Sequence, residues 1–334
     1  MNNNFKLYEF IIKPKTFWGS LFRGDTLFGR ICIQIIMDKG ENELTNLLED
    51  YDNSPFIVTS SAFPLIKKNP NETYYILPTP KVPLKYIFNN ISENANTKEY
   101  KKKKNLIIKN NNNFFINIRS AEKLSEEEIS KTFDIEYILK TFKYIHNTIN
   151  RFTFTTGKTD TDEKNMFSPY DVDYYLYNED KKLNLLLFIL IDESKIKIEE
   201  VKKLLENVGK YGFGKDQSLG YGKFSVEGYK ELNINYQNVK SYYALSPFVP
   251  PKEDEEKIKI YFSPYIKYGK HGDPASKSEK YLKKIIVMCE EGSIIKMENY
   301  QKPYYGIALK GISTTIPQAV AQGYTILMPS DIEI

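Results

Sequence analysis

The sequence predicts an α+β protein built from two strand-rich units. Three features point there. Apolar residues near the start recur at every second position and then at helical spacing, in the order strand, helix, strand. The same order returns between residues 183 and 229, around a glycine-rich turn. From about residue 231 a further series of strand candidates begins.

Taken in order, Phe5 to Ile12 alternates like a strand. An irregular stretch, Lys13 to Gly24, leads into a helix. Asp25 is placed to cap it, and Leu27, Phe28, Ile31, Ile35 and Ile36 form its apolar stripe. Gly40 supplies a natural stop. A short helix is expected over Glu43 to Asp50, then a strand over Phe56 to Phe63. Leu77 to Leu84 holds three prolines in eight residues and reads as an extended loop. Residues 88–113 are rich in Asn and Lys, with a run from Lys101 to Lys104, and read as a solvated insertion. Ser125 to Tyr144 has helical character.

Leu183 to Ile191 reads as a buried strand. Glu199 to Val208 reads as an amphipathic helix with Val201, Leu204, Leu205 and Val208 on one face and Gly209 as its cap. Lys223 to Tyr229 reads as the next strand. Two strand–helix–strand units in succession give the split order of a ferredoxin-like fold for residues 1–230. The second unit, 231–334, offers strands at Tyr242 to Phe248, Lys257 to Tyr268, Ile285 to Cys289, Tyr304 to Leu309 and Tyr324 to Met328. An acidic loop, Pro250 to Glu256, lies within it.

A chain of 334 residues suggests about two domains, and one this long buries roughly 75% of its unfolded surface. The longest apolar run, Leu185 to Ile191, is seven residues, whereas a bilayer span needs about 20. No signal peptide pattern opens the chain. Cys32 and Cys289 stand far apart, which favours free thiols over a disulfide and excludes zinc spacing. A cytoplasmic protein is expected, with no membrane association. The 47 basic and 43 acidic residues leave a net charge of +4, which permits nucleic-acid binding without arguing for it. Only Arg23, Arg30, Arg119 and Arg151 are arginines. Against so many lysines, an arginine is the more informative cation, because its planar fork grips phosphate bidentately.

Three segments have binding chemistry. Gly209 to Phe224, GKYGFGKDQSLGYGKF, holds five of the 17 glycines, at 209, 212, 214, 220 and 222, with Lys210, Lys215 and Lys223 beside Asp216. Bare backbone admits close approach, and successive N–H groups form an anion-binding concavity. It is not a nucleotide P-loop, because Asp216 follows Lys215. It is not a dinucleotide fingerprint either, since it leaves a helix and enters a strand. The alternative is a tight helix-to-strand connection with no ligand. Lys13 to Arg30 places Lys13, Lys15, Arg23 and Arg30 among Phe17, Trp18 and Phe22, as stacked bases and bound phosphates require. The alternative there is that the rings are core and Asp25 only a cap. Arg151 to Lys158, RFTFTTGK, offers an arginine, aromatics and threonines, or else an edge strand. His146 and His271 are the only histidines. Neither has a discernible partner, and no metal or triad motif appears.

These segments, with LFRGDTLFG (21–29), LPTP (77–80), INRFTFTTG (149–157), GFGKDQSLGYGKF (212–224), LSPFVP (245–250), PYYGIALKGIS (303–313) and AVAQGYTILMP (319–329), occur in the order of one family. The chain resembles the Csm-four family, the RAMP-superfamily, Cas-five-like subunit of type III-A CRISPR effector complexes. The resemblance implies two ferredoxin-like (RRM-like) domains with insertions. It implies binding of the 5′ tag of the CRISPR RNA, and contacts with a Cas-ten-type large subunit and a Csm-three backbone subunit. It implies no catalysis, cofactor, metal or small-molecule substrate. Matching positions are Arg23, Gly24, Asp25, Arg151, Thr153, Gly157, Gly212, Gly214, Lys215, Ser218, Gly220 and Gly222. Apart from Asp25 and Gly157, these positions form the expected RNA-binding set together with Lys15, Phe17, Trp18, Arg30, Lys158 and Lys223. Two rivals stand beside this reading. One is a RAMP endoribonuclease with His146 or His271 as general base. The other is an architectural protein that touches no RNA.

Overall fold

The computed structural model describes residues 4–69, 72–87, 97–98, 100–102, 113–115, 139–147, 169–177, 184–254, 256–271, 282–298, 300–330, 332 and 334. The fold is mixed α/β, and every described strand pairing is antiparallel.

Strand β1 (Phe5–Pro14) leads to helix α1 (Gly24–Lys39), helix α2 (Glu41–Leu48) and strand β2 (Ile57–Asn69). Strand β3 (Glu72–Pro78), a helical turn α3 (Leu84–Ile87) and strand β4 (Asn113–Phe115) follow. Strands β5 (Leu139–Asn147) and β6 (Pro169–Tyr177) pair as a separate ribbon. Strand β7 (Asn184–Asp192), helix α4 (Ile198–Tyr211) and strand β8 (Phe224–Leu232) complete a six-stranded sheet of order β4-β3-β2-β7-β1-β8. Four consecutive strands of that order, ending at the β8 edge, run β2-β7-β1-β8.

The apolar run of the sequence becomes β7, which is buried from Leu185 to Asp192 and sits between β1 and β2. At roughly 1.5–3 kcal/mol per fully buried large apolar side chain, this strand is the main hydrophobic anchor of the sheet. Helices α1 and α4 supply Leu27, Phe28, Ile31, Ile35, Val201, Leu204, Leu205 and Val208 to the same core.

A second sheet of order β10-β13-β9-β15-β14 is built from β9 (Ser241–Ala244), β10 (Lys259–Tyr261), β13 (Ile294–Lys296), β14 (Tyr304–Leu309) and β15 (Ala321–Ser330). Strands β11 (Pro264–Lys270) and β12 (Leu282–Cys289) form another ribbon. Among the described residues after 231 no α-helix occurs.

The two sheets share one hydrophobic cluster, to which Tyr243, Leu245, Ile294, Tyr324, Ile326 and Met328 contribute from the second. Their junction is a bulge in β2 between Thr59 and Ala62. It turns the Ser61 N–H to the Leu245 carbonyl (2.9 Å) and the Ala62 N–H to the Phe22 carbonyl (2.9 Å). Beside it, the Gln322 amide accepts from the Thr59 N–H (2.9 Å) and donates to the Thr59 carbonyl (2.8 Å). A bulge leaves ladder groups unpaired, and here those groups are used to fasten a second sheet and the 13–24 segment.

Several expectations change. Asp25 does not cap α1: the helix starts at Gly24, its N-cap is Arg23 with no side-chain cap bond, and Asp25 is buried in an ion pair with Lys267. Gly209 lies inside α4, and Gly212, at φ +103°, ends it. Leu77 and Pro78 belong to β3 rather than to a loop. Residues 139–144, expected as the end of a helix, form β5, where aromatic and β-branched residues suit a pleated pair. Residues 125–138 lie outside the described residues.

Candidate nucleic-acid interface

The 13–22 segment and the glycine-rich segment run against each other along the end of β1 and β8. The Lys15 N–H donates to the Lys223 carbonyl (2.8 Å) and the Gly222 N–H to the Phe17 carbonyl (2.6 Å). The Lys215 and Lys223 N–H groups donate to the hydroxyls of Ser20 (3.1 Å) and Thr16 (3.0 Å). Gly212, Phe213, Leu219, Gly220 and Tyr221 also donate their N–H groups to protein carbonyls. Most of the loop's N–H groups are therefore committed to the fold, which corrects the expectation of a cradle of free donors along its length.

Close packing explains two of its glycines. A Cβ on Gly222 would sit 2.0 Å from the Phe213 carbonyl oxygen, and one on Gly212 would sit 2.4 Å from that of Tyr221. Gly220 differs, because at φ +91° an added Cβ would meet open space. Gly220 closes the short turn Gln217–Leu219, where Ser218 and Leu219 are exposed. The part of the loop that faces outward is thus Gly214 to Gly220, not the whole.

The cations divide into two groups. Lys15, Lys215 and Lys223 are exposed. Pro14 pairs with Phe224, so Lys15 and Lys223 continue that register and stand opposite one another. Neither has a carboxylate within ion-pairing distance among the described residues. Like charges placed directly across a strand pair repel, so this site favours an external anion. Arg23 is the opposite case. Its guanidinium lies 3.9 Å over the Tyr265 ring and pairs with Glu290 (3.2 Å) and Glu291 (3.7 Å). Burial opposes its charge, but Glu291, Tyr265 and Glu290 together hold its pKa above the ordinary value. Burial raises the pKa of Glu291 against the pull of Arg23. Arg23 therefore joins α1 to the β11–β12 side of the molecule, with an acid pair already in its grip. Gly24 is buried under β2, where a Cβ would sit 2.3 Å from the Thr59 carbonyl oxygen. Arg30 is half-buried on α1 and has no carboxylate within pairing distance among the described residues. Burial lowers its pKa, opposed by Tyr211 at the end of α4.

The aromatic residues divide likewise. Trp18 is fully buried, stacked on Phe224 (centroids 6.0 Å) and packed on Phe22 (5.1 Å) and Phe213 (5.8 Å). It is a core residue with no face for a base, a correction to the expected stacking role. Phe17 is half-buried and meets Tyr221 (6.2 Å), which meets Tyr174 (5.1 Å), which meets Tyr144 (5.6 Å). Tyr144 is 50% exposed. The β5–β6 ribbon thus adds Tyr144, His146 and Tyr174 to the loop's surroundings. Sequence reasoning missed the two tyrosines because the pairing is non-local. The available signals were the alternation of Phe142, Tyr144 and His146 and the tyrosine-rich run 170–177.

Arg151, Thr153, Gly157, Lys158 and Arg119 lie outside the described residues. Lys101 and Lys102 are exposed, and Lys103 and Lys104 lie outside. His146 Nε2 lies 3.2 Å from the Tyr174 hydroxyl, and His271 Nε2 lies 2.9 Å from the Ser313 hydroxyl. Burial, then Lys283, lowers the pKa of His271. Cys32 and Cys289 are free and buried, each with a pKa pushed up to about 12. Among the described residues no cluster of metal-binding side chains occurs, and no helix is long and apolar enough to cross a membrane.

No family model matches the chain, and no curated protein matches it in sequence. Solved structures do. The chain is similar to Csm4 in the Csm3–Csm4 subcomplex of the type III-A CRISPR-Cas interference complex, at 17% identity over 97% of this chain and 99% of that one, TM-score 0.58. It is also similar to Csm4 in a Csm1–Csm4 cassette with cA4, at 16% identity over 98% and 99%, TM-score 0.58. A Csm1–Csm4 cassette with AMPPNP gives 17% identity over 98% and 99%, TM-score 0.54. At these identities the likeness, which covers 97–98% of this chain, shows the fold alone.

Proposed function

We propose that the protein is a non-catalytic, RNA-binding subunit of a type III-A CRISPR effector complex. In this reading it holds the 5′ tag of the CRISPR RNA and bridges a Cas-ten-type large subunit to a Csm-three backbone subunit. The end-to-end likeness to Csm4 supports membership of such a complex. The strand order β2-β7-β1-β8, with α1 and α4 as crossovers, supports a ferredoxin-like unit for residues 1–230. Residues 231–334 are read as a second, RRM-related unit.

One observation carries the RNA reading. Exposed Lys15, Lys215 and Lys223 border a chain of rings, Phe17–Tyr221–Tyr174–Tyr144, beside the outward turn of the glycine loop. Cations that neutralise phosphates beside rings that stack on splayed bases are the means by which single-stranded RNA is held. Arg23 and Trp18 act in this reading as scaffold. Assembly has its own support. The outer side of β11–β12 exposes Ile266, Tyr268, Leu282, Ile285 and Val287, an apolar face suited to a protein neighbour.

The test is binding of tagged and tagless RNA across a salt series. The affinity should fall with a log–log slope of about −0.7 per phosphate neutralised, and K15A/K223A should flatten it by about 1.4. Equal affinity for both RNAs with no salt slope would refute the RNA role.

A further inference from the structure

We propose that Tyr174 is a positioning residue that latches the glycine loop, through Asp216, to the β5–β6 ribbon. The claim deepens the RNA-binding reading and rests on it for its binding arm. Asp216 is a non-glycine residue in the left-handed region, φ +61° and ψ +23°. Among L-residues, Asp and Asn enter that region most readily, and still at a penalty. Asp216 is also the hub of the outward turn, because its carbonyl accepts the Leu219 N–H (2.9 Å) and the Tyr221 N–H (3.4 Å).

The side chain is what ties this hub down. The Tyr174 hydroxyl donates to Asp216 Oδ2 at 2.5 Å. Tyr174 is almost fully buried, so its hydroxyl is held by the ribbon rather than by solvent. A phenol has one proton, and Asp216 receives it. The 3.2 Å contact with His146 therefore has the Nε2 N–H donating to the Tyr174 oxygen. The Tyr174 ring also meets Tyr221 (5.1 Å), which follows Gly220 and whose N–H returns to the Asp216 carbonyl. One side chain thus touches the turn at both of its ends. Lys215 and Ser218 ride on that turn, so their presentation depends on a hydroxyl from another part of the chain.

Four variants separate a latch from backbone strain or plain packing. Y174F removes only the hydroxyl. D216N keeps an acceptor oxygen and tolerates the left-handed backbone. D216G relieves the backbone but has no acceptor, and D216A has neither advantage. Hydrogen exchange at residues 214–222 and affinity for a fluorescent single-stranded RNA are measured for each. Y174F, D216G and D216A should exchange faster at Leu219 to Tyr221 and bind about tenfold more weakly, the scale of one hydrogen bond to a charged group. D216N should keep the wild-type exchange pattern and bind at least as well as wild type. A Y174F/D216G double variant should be no worse than either single one. Wild-type behaviour of Y174F, or of D216G, in exchange would overturn the latch. If wild-type protein binds no RNA, the RNA reading fails, while the exchange result still decides the latch.

Discussion

Replacing Gly222 with alanine tests whether the glycine-rich segment is first of all a packing device. At φ +72°, any L-residue pays about 1–2 kcal/mol for the left-handed region. The new Cβ would also lie 2.0 Å from the Phe213 oxygen and 2.7 Å from its nitrogen, where no flexible side-chain end can yield. Phe213 must shift by about an ångström to restore ordinary contact. Its N–H bonds the Gly222 carbonyl (3.0 Å), and its ring stacks on Phe22 (4.2 Å). Weakening that bond adds about 1 kcal/mol, and disturbing the aromatic packing adds about 1–3 kcal/mol. The total is roughly 3–6 kcal/mol. G220A is the control. It meets the same left-handed penalty in open space and should lose only about 1–2 kcal/mol. Urea unfolding followed by tryptophan fluorescence is the assay, since Trp18 is the single tryptophan and lies 5.8 Å from Phe213. Equal midpoints for G222A and G220A would show that the close crossing does not govern this segment.

Other consequences follow from the same structure. W18A should cost about 3–5 kcal/mol in a chemical melt, as removal of a buried aromatic does, and a change in RNA affinity at unchanged stability would contradict its core assignment. His271 has a lowered pKa when folded, so the unfolded chain binds more protons as pH falls below about 6.5. Melting temperature should therefore decline from pH 7 towards pH 5, and H271Q should lessen that decline; an identical slope in both proteins would remove His271 as a cause. I285K lies on the exposed side of β12 and should change stability by no more than about 0.5 kcal/mol. It should nonetheless reduce co-purification with the neighbouring subunits, and full retention of assembly would show that this face is not used.

Elements with local signals were legible in the amino-acid order. The period of apolar residues placed β1, α1, β7, α4 and β8 within a few residues, and the Leu185 to Ile191 run marked the most buried strand. Gly40 marked the end of α1 because a positive-φ stop is a property of one residue. Partnership, by contrast, came only with folding. Arg23 reads as a phosphate ligand until Glu290 and Glu291, more than 260 residues away, are folded against it. Trp18 reads as a stacking platform until Phe213 and Phe224 enclose it. Tyr174 meets Asp216 only because a ribbon crosses the glycine loop. Neither charge nor aromaticity carries information about what will neutralise or cover it. That is set by long-range pairing, whose register is written in no single segment of the chain.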